Sequence, residues 1–565
     1  MPPQPFTSTQ ELRAPRPELG PRPAAQGRSV IITAMKGEAF RRLGGFKDSV
    51  IFSVLLGLAL LFAWTAMSPC LKNGFINWDE TEYITRNPRI RTLSPEGVKA
   101  IFTSSDLKMY SPLATLSYAL NYRAAGLAPR AYHATDLVLH LLNTALVLLL
   151  ARLLLADVWA AFFIALLFGI HPAHVESVAW AAERKDLLYS FFYLAALAAY
   201  ALRFRGMKTY FLTLLLFLGA LFSKPMAVTL PLALLLVDYL KDVTPGRRLW
   251  LEKLPFFFFS ALFAFAAMPA SGAALGLGWG RRLLLPFYNL GFYVYTLLWP
   301  FDLSAMYVFA PGGRPAYLLL AAAALAGIFL VWKYFRRDKE VVFGAAFFAV
   351  MLLPVLQFFP FGPVVSADRY TYLSSIGVFF IAAVCARRLW RRPLAPALRW
   401  AAAACAVAAV LTLAVAARLR CGVWKDGISL WSDTLRKQPA AGSALVNLCG
   451  AYVQAGRDAE AESCLAGAIV RYPGNDDNYY NLGYLYARKG EYGRAEEYFA
   501  RTLRITPCHA PALNNLGNLS LLKGDAAGAE RYYARAARCD SSYPAAASNL
   551  AKMAPSRKGK AAAPR

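Results

Sequence analysis

Eleven apolar runs joined by short polar links fill the chain from residue 50 to residue 417. They lie at 50–67, 132–155, 159–180, 187–204, 210–222, 226–240, 254–268, 318–335, 341–359, 373–385 and 400–417. A bilayer offers backbone groups no partner but one another, so such runs cross it as helices of about 20 residues. The pattern predicts an all-α polytopic membrane domain over 49–420 with about eleven crossings, some of them short. The stretch 281–299 reads differently. Its Arg281, Arg282, Tyr288, Tyr293, Tyr295 and Trp299 are types that favour the headgroup level, so it is expected to lie along the interface.

Beyond Ser443 the apolar density falls and a repeat takes over. Leu448, Leu482, Leu516 and Leu550 stand 34 residues apart, as do Gly456, Gly490 and Gly524, and Ala461, Ala495 and Ala529. That is the tetratricopeptide period, in which small residues let the two helices of each hairpin pack closely. An α-solenoid over 421–552 is therefore expected, with 422–437 forming a half-repeat that joins it to the last span. Asn447, Asn481, Asn515 and Asn549 precede the repeat leucines, a position that faces the concave groove. An amide both donates and accepts, so the four can hold the backbone of an extended peptide whatever its sequence. They resemble the asparagine ladder in the repeats of the nucleocytoplasmic O-GlcNAc transferase; the alternative is that each bonds its own neighbours. The stretches 1–48, rich in Pro, Gly and Arg, and 553–565, basic, lack apolar periodicity and are expected to be disordered tails.

Composition sharpens the class. Of the 565 residues, 57% are hydrophobic and 17% charged, too apolar for a soluble domain. The net charge of +27 does not point to nucleic acid, because the basic residues cluster in links such as Arg203-Arg205-Lys208, Arg247-Arg248, Arg336-Arg337-Lys339 and Arg387–Arg392. Held in the cytoplasm, those links put the loop after the first span and the repeats on the extracytoplasmic side, periplasmic or luminal. No small-residue cleavage signature follows 50–67, so that span is expected to remain as an anchor. The eight cysteines show no C-x-x-C and no paired zinc spacing, and no redox compartment follows from them.

Four polar groups fall on the same predicted outer side. Asn77-Trp78-Asp79-Glu80 offers a carboxylate pair just beyond a span, where ionised oxygen can act as a general base. His171-Pro-Ala-His174-Val-Glu176, followed by Glu183-Arg184-Lys185-Asp186, puts two histidines at i and i+3, a spacing that suits either a divalent metal or a hydrogen-bonded helix end. Tyr110-Ser111-Pro112 with Arg123 opens an amphipathic stretch along the bilayer. Asp368-Arg369-Tyr370 supplies a guanidinium able to grip phosphate through two parallel hydrogen bonds, or a snorkelling anchor. The chain has neither a P-loop nor a dinucleotide fingerprint, so no nucleotide cofactor is expected.

The run Leu-Phe-Gly-Ile-His171-Pro-Ala-His174-Val-Glu176 with Glu183-Arg184-Lys185-Asp186, then Ser223-Lys224-Pro225, then Asp368-Arg369-Tyr370-Thr-Tyr-Leu-Ser-Ser-Ile-Gly377, resembles the transmembrane and tetratricopeptide-repeat O-mannosyltransferases and their bacterial relatives. The order of blocks and the terminal repeats match as well. The resemblance implies a GT-C glycosyltransferase that moves a sugar, mannose first among them, from a polyprenyl-phosphate donor to Ser or Thr hydroxyls of a protein acceptor. It implies Asp79 and Glu80 as the catalytic pair; beside it, the charge of Arg369, Arg184 and Lys224 makes them candidates for the donor phosphate, and the asparagine ladder is the candidate for the acceptor. Glu176, Glu183 and Asp186 would stand with the histidines on the outer face, where a divalent ion is left open. The sequence departs from the family in reading Asp-Glu where animal members have Asp-Asp, and Lys224-Pro225 where Lys-Glu is usual. Two other readings compete: a non-catalytic membrane scaffold recruiting partners through its repeats, and a flippase or polymerase for lipid-linked glycans. The latter calls for ionisable groups near span centres, whereas the strongest acids here fall at the ends.

Overall fold

The computed structural model describes residues 46–103, 109–202, 207–266, 279–309, 315–358, 364–393, 395–540 and 543–560. The expected tails lie outside these up to residue 45 and from 561. Within the described residues the regular structure is helical throughout, as the apolar runs and the 34-residue period require.

The amino-terminal unit, to Leu55, is described only from the first turns of the helix Phe46–Met67. In the remainder, the apolar runs divide into two kinds. Six helices of the chain, Asp48–Lys72, Pro129–Leu155, Arg247–Ala266, Pro315–Phe335, Asp368–Trp390 and Pro396–Val423, are long and apolar enough to cross a bilayer by themselves. The other five expected crossings are helical but fall short as independent spans. The run 159–180 bends by 53° between Val158–Ile170 and Pro172–Ala179, a broken span or a re-entrant loop. The helix Arg184–Leu202 opens with three buried charged residues. Met207–Ser223 and Pro225–Leu240 are short and separated at Lys224, and Lys339–Leu352 has 14 residues. Proline and buried charge explain the breaks: a ring at Pro172 or Pro225 removes a helical donor, and the freed groups are satisfied inside the bundle.

The stretch expected at the interface also folds differently. Trp279–Leu298 is a 20-residue helix that buries Leu285, Tyr288, Asn289, Phe292 and Tyr293 in the protein. Tyr288 and Tyr293 therefore contribute to the core, and only Tyr295 and Trp299 of the expected aromatics remain exposed. Elsewhere close packing follows the small-residue rule of membrane helices. A Cβ on Gly344 would stand 2.7 Å from the Gly377 carbonyl, so the helices Lys339–Leu352 and Thr371–Trp390 approach along a surface that admits no side chain at that point.

The repeats fold as the period predicts, in hairpins Gly442–Gln454 with Asp458–Arg471, Asp476–Arg488 with Tyr492–Ile505, and Ala510–Leu522 with Ala526–Cys539. Gly456, Gly490 and Gly524 make the hairpin turns with φ of +72°, +80° and +79°, a region closed to most side chains. Ala461, Ala495 and Ala529 are wholly buried where the paired helices touch. The expected half-repeat is the helix Gly427–Lys437. The last helix, Pro544–Lys560, runs into the stretch expected to be a disordered tail.

Two disulfides lock the solenoid. Cys449–Cys464 ties the two helices of the first hairpin, and Cys508–Cys539 closes the third. Sequence spacing hid them, because partners 15 and 31 residues apart meet only once antiparallel helices stack. Peptide mapping of the unreduced protein should recover both cross-links, and reducing them should lower solenoid stability by about 2–5 kcal/mol, read as an earlier melt in the same detergent or nanodisc.

Candidate active site

Three segments distant in sequence meet at one end of the membrane domain: the loop 73–91 after the first span, the bend 171–186, and Asp368-Arg369-Tyr370. Their meeting point is Trp180, buried at the end of the short helix Val175–Ala179. Its indole Nε1 donates to Glu80 Oε2 at 3.0 Å. One face stacks on Trp78, with ring centres 4.2 Å apart and planes 13° from parallel. The Arg369 guanidinium lies 5.4 Å from its ring centre. One aromatic residue thus touches both the acidic loop and the cation contributed by the late span.

The two carboxylates of the loop sit in different surroundings. Glu80 is buried, and the loss of water pushes its pKa from 4.5 up to about 8; the Asp79 charge adds to the rise, while backbone donors and the Trp180 indole oppose it. At neutral pH Glu80 is therefore mostly protonated. Asp79 is partly open and lies within electrostatic reach of Lys185. Of the pair, Asp79 has the access that a base requires.

Four cations surround the bend, and their exposure separates their roles. Arg184 has none: its Nε donates to Asp136 at 2.6 Å, Nη1 to Ser117 and Asn121, and Nη2 to the Tyr132 carbonyl. The phosphate role that the sequence suggested for Arg184 is corrected accordingly, since four protein acceptors already surround it. Lys224, 3% exposed, bridges Glu183 at 2.7 Å and Asp186. It binds the bend rather than opening onto the site, so its assignment to a phosphate does not fit either. Arg369, 11% exposed, is fixed by Glu176, which accepts from its backbone N at 3.1 Å and its Nη1 at 2.5 Å. Lys185, 7% exposed, reaches Glu183 at 3.2 Å and lies 4.7 Å from the centre of the Tyr83 ring. Sequence reasoning missed Lys185. It stood in the charged run beside Arg184, but which of two adjacent residues faces the loop depends on helical phase.

The histidines do not fit a divalent ion. His171 Nε2 pairs with the Leu297 carbonyl at 3.0 Å while Nδ1 accepts from Ala173 N; His174 pairs with the Phe168 carbonyl at 2.8 Å and Ser375 Oγ at 3.1 Å. All four ring nitrogens are used in holding the bend. Among the described residues no group of three or more His, Cys, Asp or Glu side chains is arranged to hold a metal. Tyr110 donates to the Phe102 carbonyl and meets the Phe222 ring edge-on. Arg123 lines a separate open cleft of about 640 Å³ with Arg91 and Tyr122.

The solenoid opens directly onto the loop. The Asn447 carbonyl accepts from Asn77 Nδ2 at 2.7 Å. A Cβ on Gly450 would stand 3.5 Å from the Asn77 amide nitrogen and 3.7 Å from that of Asn481, so the two amides share one recess. Farther along, Asn515 reaches Tyr480 Oη at 3.5 Å, and Asn549 pairs with Asn514 at 2.9 Å. The far end of the ladder is thus partly satisfied by its neighbours. Arg86 of the loop acts electrostatically on Tyr480 and Tyr543, so the same loop lies near these two tyrosines of the solenoid.

A many-helix membrane domain whose acidic loop is roofed by a tetratricopeptide solenoid is the class that fold and site define. Residues 450–507 and 480–544 match the family model for the tetratricopeptide repeat. The chain is similar to curated proteins named protein O-mannosyl-transferase, as the sequence motifs suggested. It is 39% identical over 141 residues to Tmtc1 of Drosophila melanogaster, a quarter (25%) of this chain and 16% of that protein. It is 39% identical over 97 residues to TMTC2 of Homo sapiens, 17% of this chain and 12% of that one. It is 30% identical over 182 residues to F38B6.6 of Caenorhabditis elegans, 30% of this chain and 26% of the relative. The matches therefore span about an eighth to a quarter of these relatives.

Raising a buried acid's pKa makes the folded state hold a proton that the unfolded chain releases. The Glu80 contribution to stability is thus fully present below about 4.5 and is lost as pH rises toward 8. Glu80→Gln keeps an oxygen for the Trp180 indole and removes this dependence. Its melting temperature should gain on the parent protein as the pH is taken from 5 to about 9; parallel pH curves for the two would show that Glu80 is not buried as described.

Proposed function

We propose that the chain is a GT-C-type membrane glycosyltransferase that moves a sugar, mannose in the first instance, from a polyprenyl-phosphate donor to Ser or Thr hydroxyls of a protein acceptor. The observation that carries this is the convergence of one accessible carboxylate, Asp79, with Lys185 and Arg369 around Trp180, beneath the mouth of the solenoid groove. The names of the similar proteins support the reaction class.

In this reading Asp79 takes the proton of the acceptor hydroxyl as its oxygen attacks the anomeric carbon. The bond from that carbon to the phosphate oxygen breaks on the opposite face, its electron pair leaves with the lipid phosphate, and the configuration inverts. Arg369 and Lys185 face the charge that grows on the leaving phosphate, and such cations help most when they bind the transition state better than the ground state. Glu80, buried and protonated, shapes the loop. The asparagines nearest the loop, Asn447 and Asn481, begin a groove along which an extended acceptor is held, with Asn515 and Asn549 farther on. A lipid-borne donor arrives already activated, which suits a site with no phosphate-cradling glycine loop.

Asp79→Asn keeps size and hydrogen bonding but lacks the basic oxygen. Transfer from labelled polyprenyl-phosphate mannose to an acceptor protein should fall about 10²–10⁴-fold with folding unchanged. Near-normal turnover would sink this assignment and return the chain to the scaffold reading.

The disulfides support an extracytoplasmic solenoid, since such bonds persist in oxidising compartments. In a background with the exposed free thiols Cys385 and Cys405 changed to Ser, a membrane-impermeant thiol reagent should label Gly474→Cys in intact cells and miss Pro245→Cys. The reverse pattern would turn the topology over.

A further inference from the structure

The loop that carries Asp79 is held from two sides, by the membrane domain through Trp180 and by the chain that leads into the solenoid. Both ends of the Asn77 side chain are bonded on the solenoid side, to two successive helices: Nδ2 donates to the Asn447 carbonyl of Gly442–Gln454 at 2.7 Å, and Oδ1 accepts from Trp431 Nε1 of Gly427–Lys437 at 2.9 Å. Trp78 is wedged between Trp180, 4.2 Å away and stacked, and Trp431, 5.0 Å away and edge-on. Upstream, Asn73 Nδ2 donates to the Cys421 carbonyl at 3.1 Å and Gly74 N to the Lys425 carbonyl at 2.9 Å. Trp424 packs on the Trp180 indole that holds Glu80. Gly427 has no side chain where one would collide with the Asn77 amide oxygen.

The helix Gly427–Lys437, which supplies Trp431 and Gly427, is itself fixed. Leu430 and Trp431 are wholly buried, and Asp433 accepts from Arg420 at 2.6 Å and Lys437 at 2.9 Å. Lys437 also donates to the Leu303 carbonyl of the membrane domain at 2.7 Å. Gly427–Lys437 precedes the residues matched as repeats and contacts the loop through Trp431.

We propose that Gly427–Lys437 belongs to the active-site framework, with Trp431 and Asn77 as positioning residues that set Asp79 against the donor. The solenoid is then a working part of the chemistry as well as an acceptor platform. This rests on the transferase reading of Asp79. An amide hydrogen-bonded at both ends and an indole in van der Waals contact on two sides leave the following residue little freedom, and misplacing a reacting group by about 1 Å can cost about 10²-fold in rate.

The test uses the full chain in nanodiscs. Trp431→Phe retains a ring edge for Trp78 and loses the donor to Asn77; Asn77→Ala loses both bonds. Each should lower kcat about 10-fold or more, with acceptor KM within about twofold. The double variant should be no slower than the slower single one, since both act through one amide. Amide exchange of residues 74–86 should speed up in each, a readout that needs no substrate. Leu465→Ala, in the solenoid core on the second helix of the first hairpin, serves as the stability control: at a matched drop in melting temperature it should keep kcat and slow loop exchange. If Trp431→Phe and Asn77→Ala leave kcat and loop exchange as in the parent, or if Leu465→Ala loses kcat equally, the inference is overturned while the transferase reading stands. A parent protein inactive on every lipid-linked donor, with loop exchange still raised by Trp431→Phe, overturns the transferase reading instead and keeps the helix as the loop's support.

Discussion

Charge can be buried here only in pairs, and that constraint pins the membrane domain together where the site lies. Arg184 is inside because Asp136 is within 2.6 Å, Lys224 because Glu183 and Asp186 flank it, and Arg369 because Glu176 grips it at two points. Desolvating an ion costs several kcal/mol, and removing one partner leaves the other unpaid for at about 3–5 kcal/mol. Each pair therefore fastens two elements far apart in sequence: the span Pro129–Leu155 to the bend, the break at Lys224 to the bend, and the late span to the bend. The bend is the hub of all three.

Its geometry explains why the long apolar run 159–180 cannot be a simple crossing. His171 and His174 spend their ring nitrogens on the Leu297 and Phe168 carbonyls, the Ala173 N–H and the Ser375 hydroxyl, which is how a chain turns inside a membrane domain without stranding polar groups. The site itself is built from what the bend then presents: Trp180, Glu183 and Lys185.

The second organising contact joins the two halves of the chain. Asn77, Trp78 and Gly74 engage Trp431, Asn447 and Lys425, so the acidic loop is clamped between the membrane domain and the solenoid. Aromatic stacking and amide hydrogen bonds suit this joint, since they add direction to burial. The Asn447 carbonyl and the Asn481 amide both lie beside Asn77, so the first repeats begin at the clamped loop.

By itself the sequence determined what is periodic or local. Apolar runs foretold helices, the 34-residue spacing foretold the hairpins and their glycine turns, and the motifs around Asp79, Glu183 and Arg369 marked segments that do converge. Tertiary structure decided everything that turns on neighbours distant in the chain. Adjacent residues on a helix point about 100° apart, so only packing could send Arg184 to Asp136 and leave Lys185 facing the loop. Burial separated Glu80 from Asp79, two acids that read alike in one dimension. The cysteine pairs and the tryptophan contacts at Trp180 and Trp431 likewise exist only once helices remote in sequence have been brought side by side, because contact is a property of the packed surface and not of the order of residues along it.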